Sequence, residues 1–281
     1  MDERLSRLLA NISKGNGEAM NHEGKFGKRD AAFVLGCVLF LLLNLGAFDE
    51  MGRAHAKKIV CLTNVRQLAR AWLLYAHNND DKLVNGAIGY SNMNMAWGDH
   101  TDELAWVDSL SSTPQGAVRG IRNGALWPYL KDLNVYRCPA GRRGEVLTYA
   151  IMFSMNAVCQ PEVQGVPGAH VKKLTEIQDP ERRLVFIDEG WRTPDAFAVY
   201  YSREQWWDGP PIRHSDGTTV SFADGHSEHW KWKGVDTIKH ARDQEHTGHL
   251  APLKPTTPAG FRDLYRMQRG CWGKLGYAPS Y

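Results

Sequence analysis

All thirteen prolines of this 281-residue chain lie at Pro114 or beyond. Proline lacks a backbone donor and collides with the preceding helical turn, so it interrupts helices and central strands. The proline-free first part permits one very long helix, and the remainder reads as a turn-rich body. Charged residues at 23% and aromatics at 10% are ordinary for a folded chain. A formal net charge of +3, with no basic stripe, argues against a nucleic-acid partner.

Residues 31–48 read AAFVLGCVLFLLLNLGAF, without a charge. A bilayer span takes roughly 17 to 25 apolar residues, and a core helix would show a polar stripe that is missing here. The stretch reads as a transmembrane segment. A cleaved signal peptide is the alternative, because AHA follows within FDEMGRAHAKK. Lys and Arg balance on the two sides, so charge does not set the orientation. Beyond the span, Ile59, Leu62, Val65, Leu68, Ala69, Trp72, Leu73 and Ala76 recur at three- and four-residue spacing. They predict a helix laid by one face on the body and ending at HNNDDKLVNG. From residue 30 to about residue 77 such a rod is roughly 70 Å long. The chain thus divides into a leader and linker at 1–30, the span at 31–48, a helical continuation at 49–80 and a body at 81–281.

In the body, RRLVFIDEGW and AFAVYYS read as strands and GTTVSFADGHSEHWKWKG as a hairpin. A three-residue Ala223-Asp224-Gly225 loop pairs Phe222 with His226 and gathers Thr218, Val220, Phe222, Trp230 and Trp232 on one face. A two-residue loop separates the tryptophans from that face, so the first register is expected. The chemistry-bearing residues are ambiguous. His226 and His229 fall on opposite faces of a strand, and no HExxH, GxSxG, P-loop or paired CxxC occurs. A metallohydrolase would need His214, Asp188, Asp224 and His226 to converge on one ion. The plainer reading is a structural hairpin with no catalytic residue. The tryptophans are expected to pack in the core and between strands; the alternative is a sugar-stacking ligand surface, for which Trp206 and Trp207, in the loop QWWDGPP, are the best exposed candidates.

His214, nine intervening residues, then Asp224-Gly225 gives the pattern H-X9-DG. CLTNVRQLARAWLLYAHNNDDKL, YRCPA with LTYAIMFSMN, and LVFIDEG precede it in order. Together these resemble prepilin-type, type II secretion pseudopilin-like proteins over roughly residues 28–232. The resemblance implies an α+β, pilin-like fold, a long N-terminal transmembrane helix packed on a mainly antiparallel β-sheet head, with the H-X9-DG hairpin at 214–232. It implies a single-pass inner-membrane protein with a cytoplasmic N-terminus and a periplasmic head. Its expected partners are the lipid bilayer and other pseudopilins or secretion-machinery proteins. The family pattern is broken at the start: Gly27-Lys28 stands at the junction, and 31–48 lacks the glutamate that pilins use in assembly.

A periplasmic head permits disulfides. Cys61 and Cys138 belong to family landmarks and are expected to pair, which would close a loop of about 77 residues and contribute roughly 4 kcal/mol. Cys159 and Cys271 are left, paired or free. Some pseudopilins hold a structural Ca²⁺, for which Asp188, Glu189 and Asp216, with Asp195 and Asp208, supply oxygen ligands; no other cofactor is expected. The expected function is a non-enzymatic, minor or orphan component of a secretion or pilus-like apparatus. The alternative is a tethered ligand-binding module for carbohydrate or metal.

Overall fold

The computed structural model describes residues 27–88, 94–95, 98–109, 111, 113–190, 196–247 and 252–281. The leader expected at 1–30 lies outside these up to residue 26. Helix α1, Lys28–His77, runs for 50 residues. The chain forms two compact units, Met1–Met51 and Gly52–Tyr281.

In the first unit, Phe33, Leu35 and Leu39 of α1 are exposed. The expected pilin-like architecture with a transmembrane helix is corrected. Among the described residues, no helix is long and apolar enough to cross a membrane. The single-pass inner-membrane placement is left without support.

The second unit is a mixed α/β fold around a five-stranded sheet of order β5-β3-β4-β6-β7. Its strands are β3 (Tyr149–Met152), β4 (Leu184–Asp188), β5 (Ala196–Phe197), β6 (Gly217–Phe222) and β7 (Ser227–Lys231). A separate short pair, β1 (Asn94–Met95) and β2 (Gly98–Asp99), precedes them. Neighbours in the sheet are antiparallel except β3 and β5. The β6–β7 register matches a three-residue loop, with Thr218 opposite Trp230 and Ser221 opposite Ser227. Phe222 N–H donates to the His226 carbonyl at 3.0 Å, and Gly225, at φ 90°, takes the left-handed position.

Both faces of the sheet are covered, which is why β3, β4 and β6 are buried at every position rather than alternately. The face of Thr219, Ser221 and Ser227 carries small hydroxyl residues, and α1 packs there. Ser227 Oγ donates to the Leu62 carbonyl and Thr219 Oγ1 touches Cys61. The buried stripe of α1 is Cys61, Val65, Leu68, Ala69, Trp72 and Ala76, with Asn64 beside it. Ile59, expected on this stripe, is 48% exposed, because the sheet begins about one turn later.

The opposite face meets a helix that the sequence reading left blank, α5 at Pro258–Trp272. Its signals are ordinary ones: Thr257 caps it through the Gly260 N–H, Pro258 opens it, and Gly273 ends it at φ 79°. Gly270 lets it approach, since a Cβ there would lie 2.7 Å from Leu184 and 3.2 Å from Trp230. Helices α2 (Pro114–Asn123), α3 (Trp127–Leu130) and α4 (Val235–Thr247) complete the unit. Asp236 ties α4 to the start of α5 by accepting from Thr237 N–H, Thr257 N–H and Thr257 Oγ1.

One buried group sets an acid limit on stability. Burial, helped by Lys172 and His100, pushes the His170 imidazole down to about 4. The unfolded chain therefore takes up a proton below about pH 6.5 that the folded chain refuses. The stability held by neutral His170 is present above pH 6.5 and is lost as pH falls towards 4, by about 2–3 kcal/mol. Urea unfolding at pH 7 and pH 5 should show that loss, and His170→Gln should flatten it; an unchanged pH slope would exclude His170 as the cause.

Candidate metal centre

Four segments far apart in sequence deliver their polar ends to one buried point in the second unit. Cys61 comes from α1, Cys138 from the turn after a short 3-10 helix at Leu133–Tyr136, Asp188 from the end of β4, and His214 from the turn before β6. One ligand atom of each lies within 4.8 Å of all the others. Cys61 Sγ is 3.2 Å from Asp188 Oδ2, and Cys138 Sγ is 3.1 Å from His214 Nε2. His214 Nε2 is 3.9 Å from Asp188 Oδ2, and those side chains are 3% and 0% exposed.

Local structure holds each donor. Cys138 N–H donates to Thr148 Oγ1, and Ala140 N–H points back to Cys138 Sγ at 3.4 Å. That N–H stabilises a thiolate by a backbone dipole. Thr219 Oγ1 at 2.8 Å and Tyr149 Oη at 3.3 Å flank Cys61 Sγ. Asn64 braces that tyrosine and also donates to the Asn134 and Arg137 carbonyls. Asp188 is fixed through its carbonyl, which accepts from Thr218 Oγ1 at 2.7 Å.

His214, Ser215 and Asp216 are held at φ 50°, 69° and 60°, three successive non-glycine residues in the left-handed region. Each costs roughly 1–2 kcal/mol, and strain of this kind persists only where the surroundings over-determine it. Arg242 grips Asp216 at 2.6 Å, and Trp232 N–H donates to the Asp216 carbonyl. Arg213 spans the gap to the cysteine turn by donating to the Ala140 carbonyl, in space left by Gly190, where a Cβ would lie 2.8 Å from the guanidinium.

Electrostatics oppose charge here as long as no cation is present. Burial pushes the Cys61 thiol well above the ordinary thiol range, and Cys138 and Asp188 push the same way. Burial also raises Asp188, against the pull of Arg213. Burial first, then His229, Arg213, Lys58 and Lys57, hold His214 down at about 4. The His214–Asp188 contact is therefore no ion pair at neutral pH; it is a neutral imidazole facing a carboxyl. Asp188 Oδ1 is buried without a hydrogen-bond partner, an arrangement that costs roughly 1–3 kcal/mol. A cation reverses these preferences, because it favours thiolate, carboxylate and neutral imidazole together.

Several sequence expectations are corrected by this geometry. Cys61 and Cys138 come together, but no disulfide joins them, and Cys159 and Cys271 are free as well. Asp224 and His226 do not join His214 and Asp188, so the convergence that the metallohydrolase alternative would need is absent from the hairpin. They sit half-exposed at the hairpin tip and bind each other at 2.5 Å. Glu189 is buried beside Asp188, Asp216 is committed to Arg242, Asp208 accepts from Ala198 N–H at 2.6 Å, and Asp195 lies outside the described residues. Among the described residues, the Ca²⁺ set of Asp188, Glu189 and Asp216 is not gathered into one group of ligands. Trp206 is no ligand surface: it is fully buried and packs edge-on to Trp232 at 5.7 Å. Trp207 lies tilted on Tyr200 at 4.8 Å.

Searches among known proteins leave the geometry to stand by itself: no protein-family model, no curated protein and no solved structure matches the chain. What the fold and the cluster define is a mixed α/β body with four buried donors of zinc-ligand type at the junction of a helix, a strand end and two turns.

Proposed function

We propose that the second unit is a non-enzymatic module organised around one tightly held divalent cation of the zinc class, bound by Cys61, Cys138, Asp188 and His214. The observation that carries this is the convergence of two thiols, an imidazole and a carboxyl from four separate segments, all within 4.8 Å. Thiolate with imidazole selects zinc over calcium or magnesium, which take oxygen ligands. Two thiolates, one carboxylate and a divalent ion leave one negative charge, and Arg213 stands beside the site to offset it. Four protein donors fill a tetrahedral ion, whereas a catalytic zinc keeps a position open for water. The role is therefore structural: the ion fastens α1 and the two turns to the sheet. Cobalt substitution tests this. Co²⁺ added to metal-free protein should give the intense visible bands of a tetrahedral thiolate site, and Cys138→Ser should weaken them. Weak octahedral bands alone would refute the assignment.

A second reading is an assembly subunit of the pseudopilin-like kind. The exposed Phe33, Leu35 and Leu39 on α1 favour it, since several large apolar side chains exposed within two turns of helix call for a cover. Cross-linking in the native host should capture pseudopilin-like partners through this helix. If Phe33→Glu/Leu35→Glu leaves the cross-linked products unchanged, the helix is not the contact.

A further inference from the structure

A second site lies on the far face of the sheet, where α5 meets the hairpin. A cleft of about 690 Å³ opens there, and its wall holds Arg182, Arg183, Arg262, Arg266, Arg269 and Lys274 against three carboxylates, Asp179, Glu181 and Glu228. Two of those carboxylates are already engaged. Glu228 binds Arg266 at 3.2 Å and the Trp230 indole N–H at 2.7 Å, and Glu181 faces Arg182 at 3.8 Å. Arg262, Arg266 and Arg269 are exposed at spacings of four and three residues, so they form one face of α5. Among the described residues, no carboxylate lies within ion-pair distance of Arg262, Arg269 or Lys274.

An exposed basic face alone is usually a solvated surface. The floor of this cleft says more. Arg183 is 1% exposed and has no carboxylate partner among the described residues. Its terminal nitrogens donate to the carbonyls of Gly168, Ala169 and Cys271, and its Nε is left without a partner. A buried charge is ordinarily paired. Here an uncompensated guanidinium sits beneath a concavity rimmed by further cations. Guanidinium forks match the geometry of carboxylate and phosphate groups, and the volume is that of a small-molecule site.

We propose that this cleft binds a compact organic polyanion, one with at least two carboxylate or phosphate groups, with Arg262, Arg269 and Lys274 as direct contacts and Arg183 as the fixed charge below. The site is separate from the cation cluster and does not depend on it. The test is titration calorimetry on the full chain at about 0.15 M salt, where non-specific attraction is screened, with tricarballylate and pyrophosphate as probes. The expected result is saturable one-to-one binding of at least one probe, weakened at least tenfold in Arg262→Ala/Arg269→Ala and unchanged in Arg119→Ala, an exposed arginine elsewhere. Binding of tricarballylate alone identifies a carboxylate ligand, and binding of pyrophosphate alone a phosphate ligand. No saturable binding of either probe overturns the proposal, as does equal binding by the double variant, which is also what heat from metal extraction would give.

Discussion

Stripping the cation with a strong chelator should lower the thermal midpoint of this protein by roughly 10 °C. A ligand present at a thousand times its dissociation constant stabilises the folded state by about 4 kcal/mol. A domain of this size shifts by about 2–4 °C per kcal/mol. The shift should reverse when Zn²⁺ is restored. Cys61→Ser should begin near the stripped midpoint and no longer respond to chelator, because the remaining donors hold the ion weakly. Cys159→Ser is the control: Cys159 is half-buried and outside the cluster, so its midpoint should still fall on chelation. The alternative, a cluster of thiol and hydroxyl hydrogen bonds with no ion, gives a chelator-insensitive midpoint in every variant. Calorimetric scans with and without chelator separate the two.

The second large effect is expected at Gly217, just after the left-handed turn that carries His214. A Cβ at this position would lie 2.0 Å from the Trp230 carbonyl oxygen and 2.9 Å from the Lys231 backbone. These are backbone atoms of the partner strand, so no side chain can swing aside. Gly217→Ala must push β6 from β7 and break the Gly217–Lys231 pairing. A loss of about 3–4 kcal/mol is expected, together with loss of the ion as the His214 turn moves. Gly225→Ala is the informative comparison. Its Cβ meets two flexible side chains, Leu73 at 3.4 Å and Arg70 at 4.0 Å, but φ is 90°, so it should cost roughly 1–2 kcal/mol and leave the ion in place. Denaturant melts paired with metal analysis decide the matter. Equal metal loss in both variants would mean that general destabilisation, and not the turn, controls the site.

The hairpin could be read from sequence because its information is local: Asp224-Gly225 fixes the loop, and the alternation around it fixes the register. The long helix was legible for the same reason, through spacing and the absence of proline. The membrane span was inferred from composition over 31–48, and among the described residues no helix is long and apolar enough to cross a membrane. The cation cluster had no local signal. Residues 61, 138, 188 and 214 are separated by dozens of positions, and only the sheet register, the α1 stripe and two turns bring them together. The sequence marked Cys61 with Cys138 and, separately, Asp188 with His214, but as a disulfide and a metallohydrolase half-site. Core packing, the role expected of most tryptophans, holds for Trp206, and the ligand-surface alternative fails there because its ring packs against Trp232. Helix α5 itself was legible in Thr257, Pro258 and Gly273, and was overlooked.

The most direct measurement is the intact mass of the folded full chain under native conditions, without chelator, compared with its denatured mass. A folded species heavier by one zinc ion less the protons that it displaces, and absent in Cys138→Ser, is the result expected here. A folded chain carrying no metal, and lighter by two hydrogens than its reduced form in the parent chain but not in Cys138→Ser, would show Cys138 held in a disulfide and would contradict the cation-centred account.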